Sequence, residues 1–408
     1  MTHPDNRYNS LNKNLFTPLF ITLTLGILTA ISSISIDMYL PAFPVMANYF
    51  QVPIVKIETT VTVFLFGMSF GQLFIGPLSD IRGRKIPLRM GMIIYVLCSI
   101  CCMLTHSYLI FLVLRFMQGL AGSACQVISR ALVSDLYTGK NSAHMFTVLQ
   151  ILMGISPIVA PTIGGLLAEA ATWKYLFLMM AIVSGIGLLG CVTILPAGKA
   201  ALADKKINIK AVLQSYRNCT QHPAFINYAL LRAISNSAAF SFVTASPFVL
   251  TQLYLLSKRE FGLVFSSFAI GIIFIGFINT RIIHKFEIKN IIKFAVLVQM
   301  TTGPLAILVV FFKGPLVLLL VVIFIFLAML GFILPNSTAM YLNAFTSSGG
   351  SASALVGSMS YLSAFLITSL LSVLHNGTAY PMLLMMVACS ILAFICLQYT
   401  TAKPLPAD

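Results

Sequence analysis

Apolar residues in this chain run in long stretches separated by short polar intervals, where a membrane β-barrel would show short alternating segments. Stretches long enough to cross a bilayer as helices fall at 15–40, 56–78, 87–105, 108–131, 144–168, 173–196, 224–255, 261–283, 290–312, 315–340, 351–374 and 378–399. The pattern predicts an all-α membrane protein of twelve transmembrane helices. One interval is longer than the rest and carries Lys199, Asp204, Lys205, Lys206, Lys210 and Arg217. It divides the chain into a tail (1–14), an N-terminal six-helix bundle (15–196), a basic linker (197–222), a C-terminal six-helix bundle (223–400) and a second tail (401–408).

Composition agrees. Of 408 residues, 59% are hydrophobic and only 9% charged, with a mean hydropathy of +0.96. So few charges cannot cover a water-facing surface. The net charge of +15 would suggest nucleic acid in a soluble protein, but here the basic residues follow topology. Eighteen of the 25 Lys and Arg lie in the tails, the linker and alternate intervals on one side, among them Arg82, Arg84, Lys85, Arg89 and Arg130. The other side holds Lys56, Lys174, Lys258, Arg259 and Lys313. This asymmetry puts both termini in the cytosol and leaves no reason to expect a nucleic-acid partner. The eight cysteines sit almost entirely in apolar segments and do not form a secreted disulfide framework. Arg7 and Lys13 precede an apolar run with no small-residue cleavage site, so the first segment reads as a retained helix.

Two sets of six helices joined by a linker imply related bundles with a site between them, as in rocking secondary transporters. The chain has no phosphate-binding P-loop, no HExxH and no GxSxG. A transporter driven by an ion gradient is expected, with no enzymatic activity and no cofactor.

Ten acidic residues are present. Asp5, Asp204, Glu287 and Asp408 fall in tails or loops, Asp80 and Asp135 at cytosolic helix ends, and Glu58, Glu169 and Glu260 near the outer face. Asp37, in SISIDMYLPAFP, alone lies well inside an apolar context. If the first helix ends near Pro41, Asp37 is an interfacial residue that hydrates itself. If the chain continues as helix towards Phe50, it is an intramembrane, protonatable carboxylate. Arg115, in LVLRFMQGLAGS, either snorkels to the outer headgroups or faces a helix interface. Gln118, Gly119, Gly122 and Ser123 at helical spacing favour the interface. Arg232 reads as structural. Cys98, Cys101, Cys102 and His106 have a zinc-like spacing but read as helix packing, so no metal site is expected. His144 and His284 read as solvated.

Several motifs together resemble the major facilitator superfamily. GQLFIGPLSDIRGRK, with Gly76, Asp80, Gly83 and Arg84, is similar to its signature between helices 2 and 3, a cytosolic conformational latch. RFMQG resembles the helix 4 signature. GISPIVAPTIGG, with Gly154, Pro157, Pro161, Gly164 and Gly165, resembles the helix 5 motif of antiporters. DMYLPAFP, ASPFVL, FINTR, LPNSTAMYL and GGSASALVGS resemble the Bcr/CflA branch of drug:proton antiporters. Two features depart from the pattern. FINTRIIHKFEIKN lacks the glycine and aspartate of a second latch, and Thr29 is neutral where some relatives carry a second acid.

The resemblance implies a monomeric, multi-pass protein of the bacterial inner membrane that exchanges protons for small molecules and contacts only lipid besides. In that reading Asp37 titrates and Arg115 is coupled to it. Tyr39, Phe43, Phe240, Ser246, Asn336 and Tyr341 are candidates for the substrate site. The expected cargo is neutral or weakly charged drugs of the amphenicol or bicyclomycin kind. An endogenous metabolite, such as a siderophore or amino-acid derivative, is the alternative, and uptake by proton symport a further one.

Overall fold

The structure is a computed structural model that describes residues 16–137, 139–196, 209–342 and 349–401. Arg7, Lys13, Lys199, Asp204, Lys205, Lys206 and Lys403 lie outside the described residues. Among those described, regular structure is entirely helical, and twelve helical stretches are long and apolar enough to cross a membrane. An even number of crossings returns the chain to the face where it began. That face is called the terminal face below, and the opposite one the far face.

The first crossing is not one helix. It spans Leu19–Phe50 as α1 (Phe16–Asp37), a 3-10 turn (Leu40–Ala42) and α2 (Phe43–Phe50). The cause is in the sequence. Pro41 and Pro44 have no N–H to give the carbonyls of Asp37 and Leu40, so the i→i−4 ladder fails twice in succession. Asp37 is therefore the last residue of α1 and sits just past the midpoint of the crossing, not at its end. It is 6% exposed. The intramembrane reading of its position is the one the fold adopts.

Next come α3 (Ile54–Arg82), α4 (Lys85–Leu104), α5 (Tyr108–Leu136), α6 (Gly139–Ala170) and α7 (Lys174–Thr193), which complete the first six crossings. A short helix, α8 (Ile209–Gln221), precedes the second six. Its Tyr216 donates to the carbonyl of Leu73 on α3 at 3.1 Å. The second half contains α9 (Pro223–Phe248), α10 (Lys258–Ile282) and α11 (Ile288–Phe311). The tenth crossing is split into α12 (Leu316–Ala328) and α13 (Leu330–Leu342), and α14 (Gly349–Val373) and α15 (Tyr380–Thr401) follow. Pro247 in α9 deprives the Val243 carbonyl of its regular donor. The Ser246 hydroxyl reaches back to that carbonyl at 3.3 Å, and the chain passes into one π-helical turn at Val249–Leu253.

Two antiparallel seams join the halves. Along α3 and α14, Thr62 donates to Thr368 at 3.0 Å, Ser69 bonds the Ser358 carbonyl at 3.0 Å, and Gln72 abuts Gly357. Along α6 and α10, Lys258 Nζ donates to the Ala168 carbonyl at 2.7 Å. Ser266 bonds Thr162 at 2.7 Å and the Ile158 carbonyl at 2.5 Å. These bonds begin near the far face and run inward, so the far side of the interface is closed. Phe20, Phe70, Phe74, Leu109 and Phe274, by contrast, stay exposed on the outer surface, as lipid-facing side chains should.

Glycine makes the tight approaches possible. A side chain at Gly164 in α6 would strike the Met38 carbonyl at the break of the first crossing. One at Gly165 would meet the Lys258 carbonyl on α10 at 2.5 Å. Gly185 in α7 has nothing within 4 Å. Replacing Gly164 with valine should therefore lower stability by roughly 1–3 kcal/mol or more through overpacking. Gly185→Ala should be neutral or gain up to about 1 kcal/mol from helix propensity. Thermal unfolding of the two variants in detergent checks this, with a fall in Tm expected only for the first.

Candidate functional site

The break in the first crossing leaves unsatisfied carbonyls at the end of α1. Arg115, on α5, is fully buried and fills one of them. Its Nη2 donates to the Ser35 carbonyl at 2.9 Å and to the Tyr39 hydroxyl at 3.2 Å, and Nη1 donates to Gln118 Oε1 at 2.5 Å. The guanidinium also lies over the rings of Tyr39 and Phe64, each 4.5 Å away. A cation at a helix C-terminus is favoured by the macrodipole as well as by the bond. Arg115 therefore grips the chain two residues before and two residues after Asp37.

Around it runs a buried polar network within the first half. Gln118 donates to Ser99 at 2.8 Å, Tyr39 bonds Thr60 at 2.8 Å, and Ser35 bonds Tyr95. Asp37 is outside this network. Among the described residues no basic side chain lies within 4 Å of its carboxylate. Its backbone neighbour Met38 is pressed by Gly164, so the helix 5 glycine motif also bears on the break. Within that motif a side chain at Gly154 would meet Ile273 of α10 at 3.3 Å, Pro157 lies inside α6, and the Pro161 carbonyl lies against Gly262. Thr29 is buried, and its hydroxyl is turned back onto its own helix at the carbonyls of Leu25 and Gly26.

Across the interface, Tyr361 of α14 bonds Gln126 of α5, which accepts from Gln72 at 2.6 Å. The Tyr361 phenol is within electrostatic reach of Arg130, Arg232 and Asp37. Helical spacing explains the meeting. Gln126 and Arg130 are one turn apart on α5, and Arg232, Asn236 and Phe240 are successive turns of one face of α9. The ring centres of Phe240 and Tyr361 are 6.3 Å apart, and Arg232 donates to the Leu334 carbonyl at 2.7 Å. Among the described residues neither arginine has a carboxylate within 4 Å.

The six candidate substrate residues are dispersed. Tyr39 and Phe43 are fully buried and pack together at 5.0 Å beneath Arg115. Phe240 faces Tyr361. Ser246 serves the α9 backbone, Asn336 pairs reciprocally with Asn279 of α10 at 2.7 and 3.4 Å, and Tyr341 packs on Phe225 at the terminal-face end of α13. Tyr39 and Phe43 belong to one apolar cluster, against which Phe240 also packs. Cys98 and Cys102 are buried and Cys101 is exposed, and no three metal-binding side chains converge among the described residues.

At the terminal face, Gly83 takes φ +77°, a conformation that favours glycine, in the turn between α3 and α4. Arg84 follows, bridging Asp80 at 2.5 Å and Asp135 of α5 at 2.9 Å, with Ser79 Oγ at 2.8 Å. The bridge between helices thus runs through Arg84 to Asp135, whose side chain is 2% exposed, while Asp80 is 60% exposed. Burial alone would weaken Arg84's hold on its proton. The hydrogen bond that Arg84 donates to Asp135 and the charges of Asp80 and Asp135 outweigh it and raise the guanidinium above its ordinary value. A side chain at Gly76, one turn before Asp80, would meet only Val127 of α5, at an ordinary 3.9 Å.

Comparison with known proteins agrees with this architecture. The sequence model described as Major Facilitator Superfamily matches residues 25–368. An uncharacterized MFS-type transporter, YdgK, of Bacillus subtilis (strain 168) is 31% identical over 89% of this chain and 91% of its own. A bicyclomycin resistance protein homolog of Haemophilus influenzae (strain ATCC 51907 / DSM 11121 / KW20 / Rd) is 28% identical over 97% of this chain and 99% of its own. Among solved structures, a D-xylose-proton symporter superposes with a TM-score of 0.76 at 13% identity, covering 95% of this chain and 100% of that one. The chain belongs to the major facilitator superfamily, within its Bcr/CflA branch.

Proposed function

We propose that this transporter is a proton-coupled antiporter that exports small, neutral, zwitterionic or weakly charged drugs across the bacterial inner membrane, with its terminal face cytosolic. The observation that carries the reading is Asp37, a buried carboxyl at a helix break, held in place by a cation that does not pair with it. The name of the Haemophilus influenzae relative supports a cargo of the bicyclomycin kind, and amphenicols extend the same class of compact polar drugs.

The cycle follows from competition for one site. An ionised Asp37 cannot pass cheaply through a sealed state, because even a partly compensated buried charge costs several kcal/mol. Protonation removes that cost and lets the empty carrier return. Substrate binding from the terminal face favours release of the proton there. Each ligand shifts the equilibrium only through its difference in affinity for the two states. Arg115 holds both flanks of Asp37 and so keeps the carboxyl aimed at the interface. The Arg84–Asp135 bridge braces the terminal face between turns of the cycle.

A second reading draws on Arg130 and Arg232. Two guanidinium groups, one from each half and neither with a carboxylate partner among the described residues, suit a cargo that carries a carboxylate. An exporter of an endogenous acidic metabolite, such as an amino-acid derivative, would use them. In that case Arg130→Gln and Arg232→Gln should each weaken export of a carboxylate-bearing compound about tenfold or more while sparing its amide. Equal effects on acid and amide would exclude an anion-binding role.

Asp37→Asn should fold, insert and still bind cargo, yet lose exchange driven by a pH gradient, since an amide releases no proton. Normal pH-driven exchange by this variant in proteoliposomes would remove Asp37 as the carrier. Arg115→Ala should lose the two bonds that flank Asp37, at about 1.5–3 kcal/mol for each charge-assisted bond. Arg115→Lys should restore only part of the lost transport, because an ammonium cannot make the same planar fork.

Substrate charge offers a further check. One-for-one exchange of a neutral compound for a proton moves one charge, so a potential of 100 mV should contribute about 2.3 kcal/mol, close to a fifty-fold change in the limiting gradient. Dications should be handled poorly, since Asp37 compensates one charge at most. Vesicle assays with pH gradient and potential clamped separately, on matched neutral, monocationic and dicationic compounds, test both statements.

A further inference from the structure

Glu58 lies near the far face, as its place early in α3 implies, and there the structure buries it. It is 1% exposed, and its Oε1 has no hydrogen-bond partner. Its place in the fold explains why. Glu58, Thr62, Ser69 and Gln72 follow one another at spacings that put them on a single face of α3. Thr62 bonds Thr368, Ser69 bonds Ser358 and Gln72 abuts Gly357, all on α14. Glu58 is one turn further towards the far face on that same side, so it lies in the closed seam between the two halves.

No cation neutralises it there. The charged and titratable groups on the elements gathered at that end are Lys56 of α3 itself, Tyr49 of α2, His106 and Tyr108 around the start of α5, and Arg115 deeper on α5. Lys174 at the start of α7, its Nζ 5.0 Å from the centre of the Tyr49 ring, Tyr39 bonded to Thr60 of α3, Tyr254 after α9, and His375 and Tyr380 after α14 lie there too. Among the described residues none forms an ion pair with Glu58. Several are already engaged: Tyr108 with Thr59 at 2.7 Å, Arg115 with Ser35 and Gln118, and His375 against the Phe248 ring at 4.6 Å. A sealed, unpaired carboxylate would cost far more than a sealed neutral acid, whose penalty is that of an unmade hydrogen bond. The closed seam therefore accommodates Glu58 only with its proton on.

We propose that Glu58 is a second proton-binding site, which takes its proton from the far face and permits the α3–α14 seam to close only when occupied. The inference rests on the alternating-access cycle proposed above but not on Asp37. Glu58 meets water only when the far side opens, so its proton enters and leaves by the same face. It adds nothing to the number of protons carried per cycle. Instead it makes closure of the far side depend on far-side pH. One proton is taken up on closing, so the closed fraction is full at low pH and falls as pH rises, by up to about tenfold per pH unit.

The test places spin labels in a cysteine-free background at Gln51, in the turn before α3, and at Val373, which is 80% exposed at the end of α14. Distances are read from about pH 5 to about pH 9 in detergent. The unsubstituted carboxyl should show a short distance at low pH that gives way to a longer one as pH rises. Glu58→Gln should hold the short distance throughout, and Glu58→Asp should keep a pH response. The response should persist in Asp37→Asn. In proteoliposomes Glu58→Gln should keep the native proton-to-substrate ratio, with the dependence of turnover on far-side pH reduced to the part that loading of Asp37 contributes. A native response in Glu58→Gln, a folded Glu58→Asp without one, loss of the response in Asp37→Asn, or an altered ratio would each overturn the proposal. Failure of Asp37 as carrier would show separately, as pH-driven exchange by Asp37→Asn.

Discussion

Everything near the candidate site depends on one defect, the break of the first crossing after Asp37. Pro41 and Pro44 remove two ladder donors in the middle of a membrane, where water cannot replace them. The carbonyls left over need a partner, and Arg115 supplies it at Ser35. The bent chain also needs room, which Gly164 supplies at Met38. The second, fourth and fifth crossings are thereby tied to the first at one level. Tyr39 carries the connection on to Thr60 of α3, and α3 forms half of the seam with α14. A change at the break is thus felt at the interface through two contacts.

The seams combine two kinds of contact. One large apolar cluster, which buries Phe111, Phe177 and Phe326, runs through both halves, and the Phe66 and Phe365 rings lie 4.7 Å apart across the α3–α14 seam. Beside it, serine, threonine, glutamine and lysine side chains bond across the interface, and glycine meets backbone. Hydrogen bonds between membrane helices average well under the strength their setting suggests, about 0.6 kcal/mol in measured cycles. Many individually weak bonds hold the register of the interface without locking it. That is the property an alternating-access protein needs of a surface it must open and close.

How much of this was readable beforehand varies with the physics involved. The twelve crossings were legible because each is a long apolar run, and errors were confined to boundaries such as 15–40 against Leu19–Phe50. The break at Asp37 was half legible. The two prolines were plain, but whether the chain resumed as helix beyond them depended on packing with α6, which no local signal reports. Arg115 could be placed on a small, polar helix face, yet its bond to a backbone carbonyl has no sequence signature. Glu58 lies at the far-face end of α3, where its distance from the helix start puts it, but its burial against a partner helix some 300 residues later has no local signal. Ser246 was read as a cavity residue when its nearer duty, to the carbonyl orphaned by Pro247, could have been inferred from adjacency. Arg130 and Arg232 were readable as same-face partners of Gln126 and Phe240, but only once Tyr361 was known to lie between them.

The separation of Arg115 from Asp37 gives the site its character. A guanidinium placed about 4 Å from a carboxylate, at an effective dielectric near 20, would favour the ionised form by about 4 kcal/mol. Such a pair would be satisfied permanently and would hold its proton off through the whole cycle. Here the guanidinium is occupied by neutral acceptors and aromatic faces: Ser35, Tyr39, Gln118 and the ring of Phe64. Its charge is accommodated without drawing on Asp37, although only two residues of chain separate the aspartate from each of its contacts on the first crossing. The same fold that buries a permanent cation thus leaves the nearby acid without an ion-pair partner among the described residues. In the cycle proposed above, that freedom is what converts a structural brace and a lone carboxyl into a coupled pair.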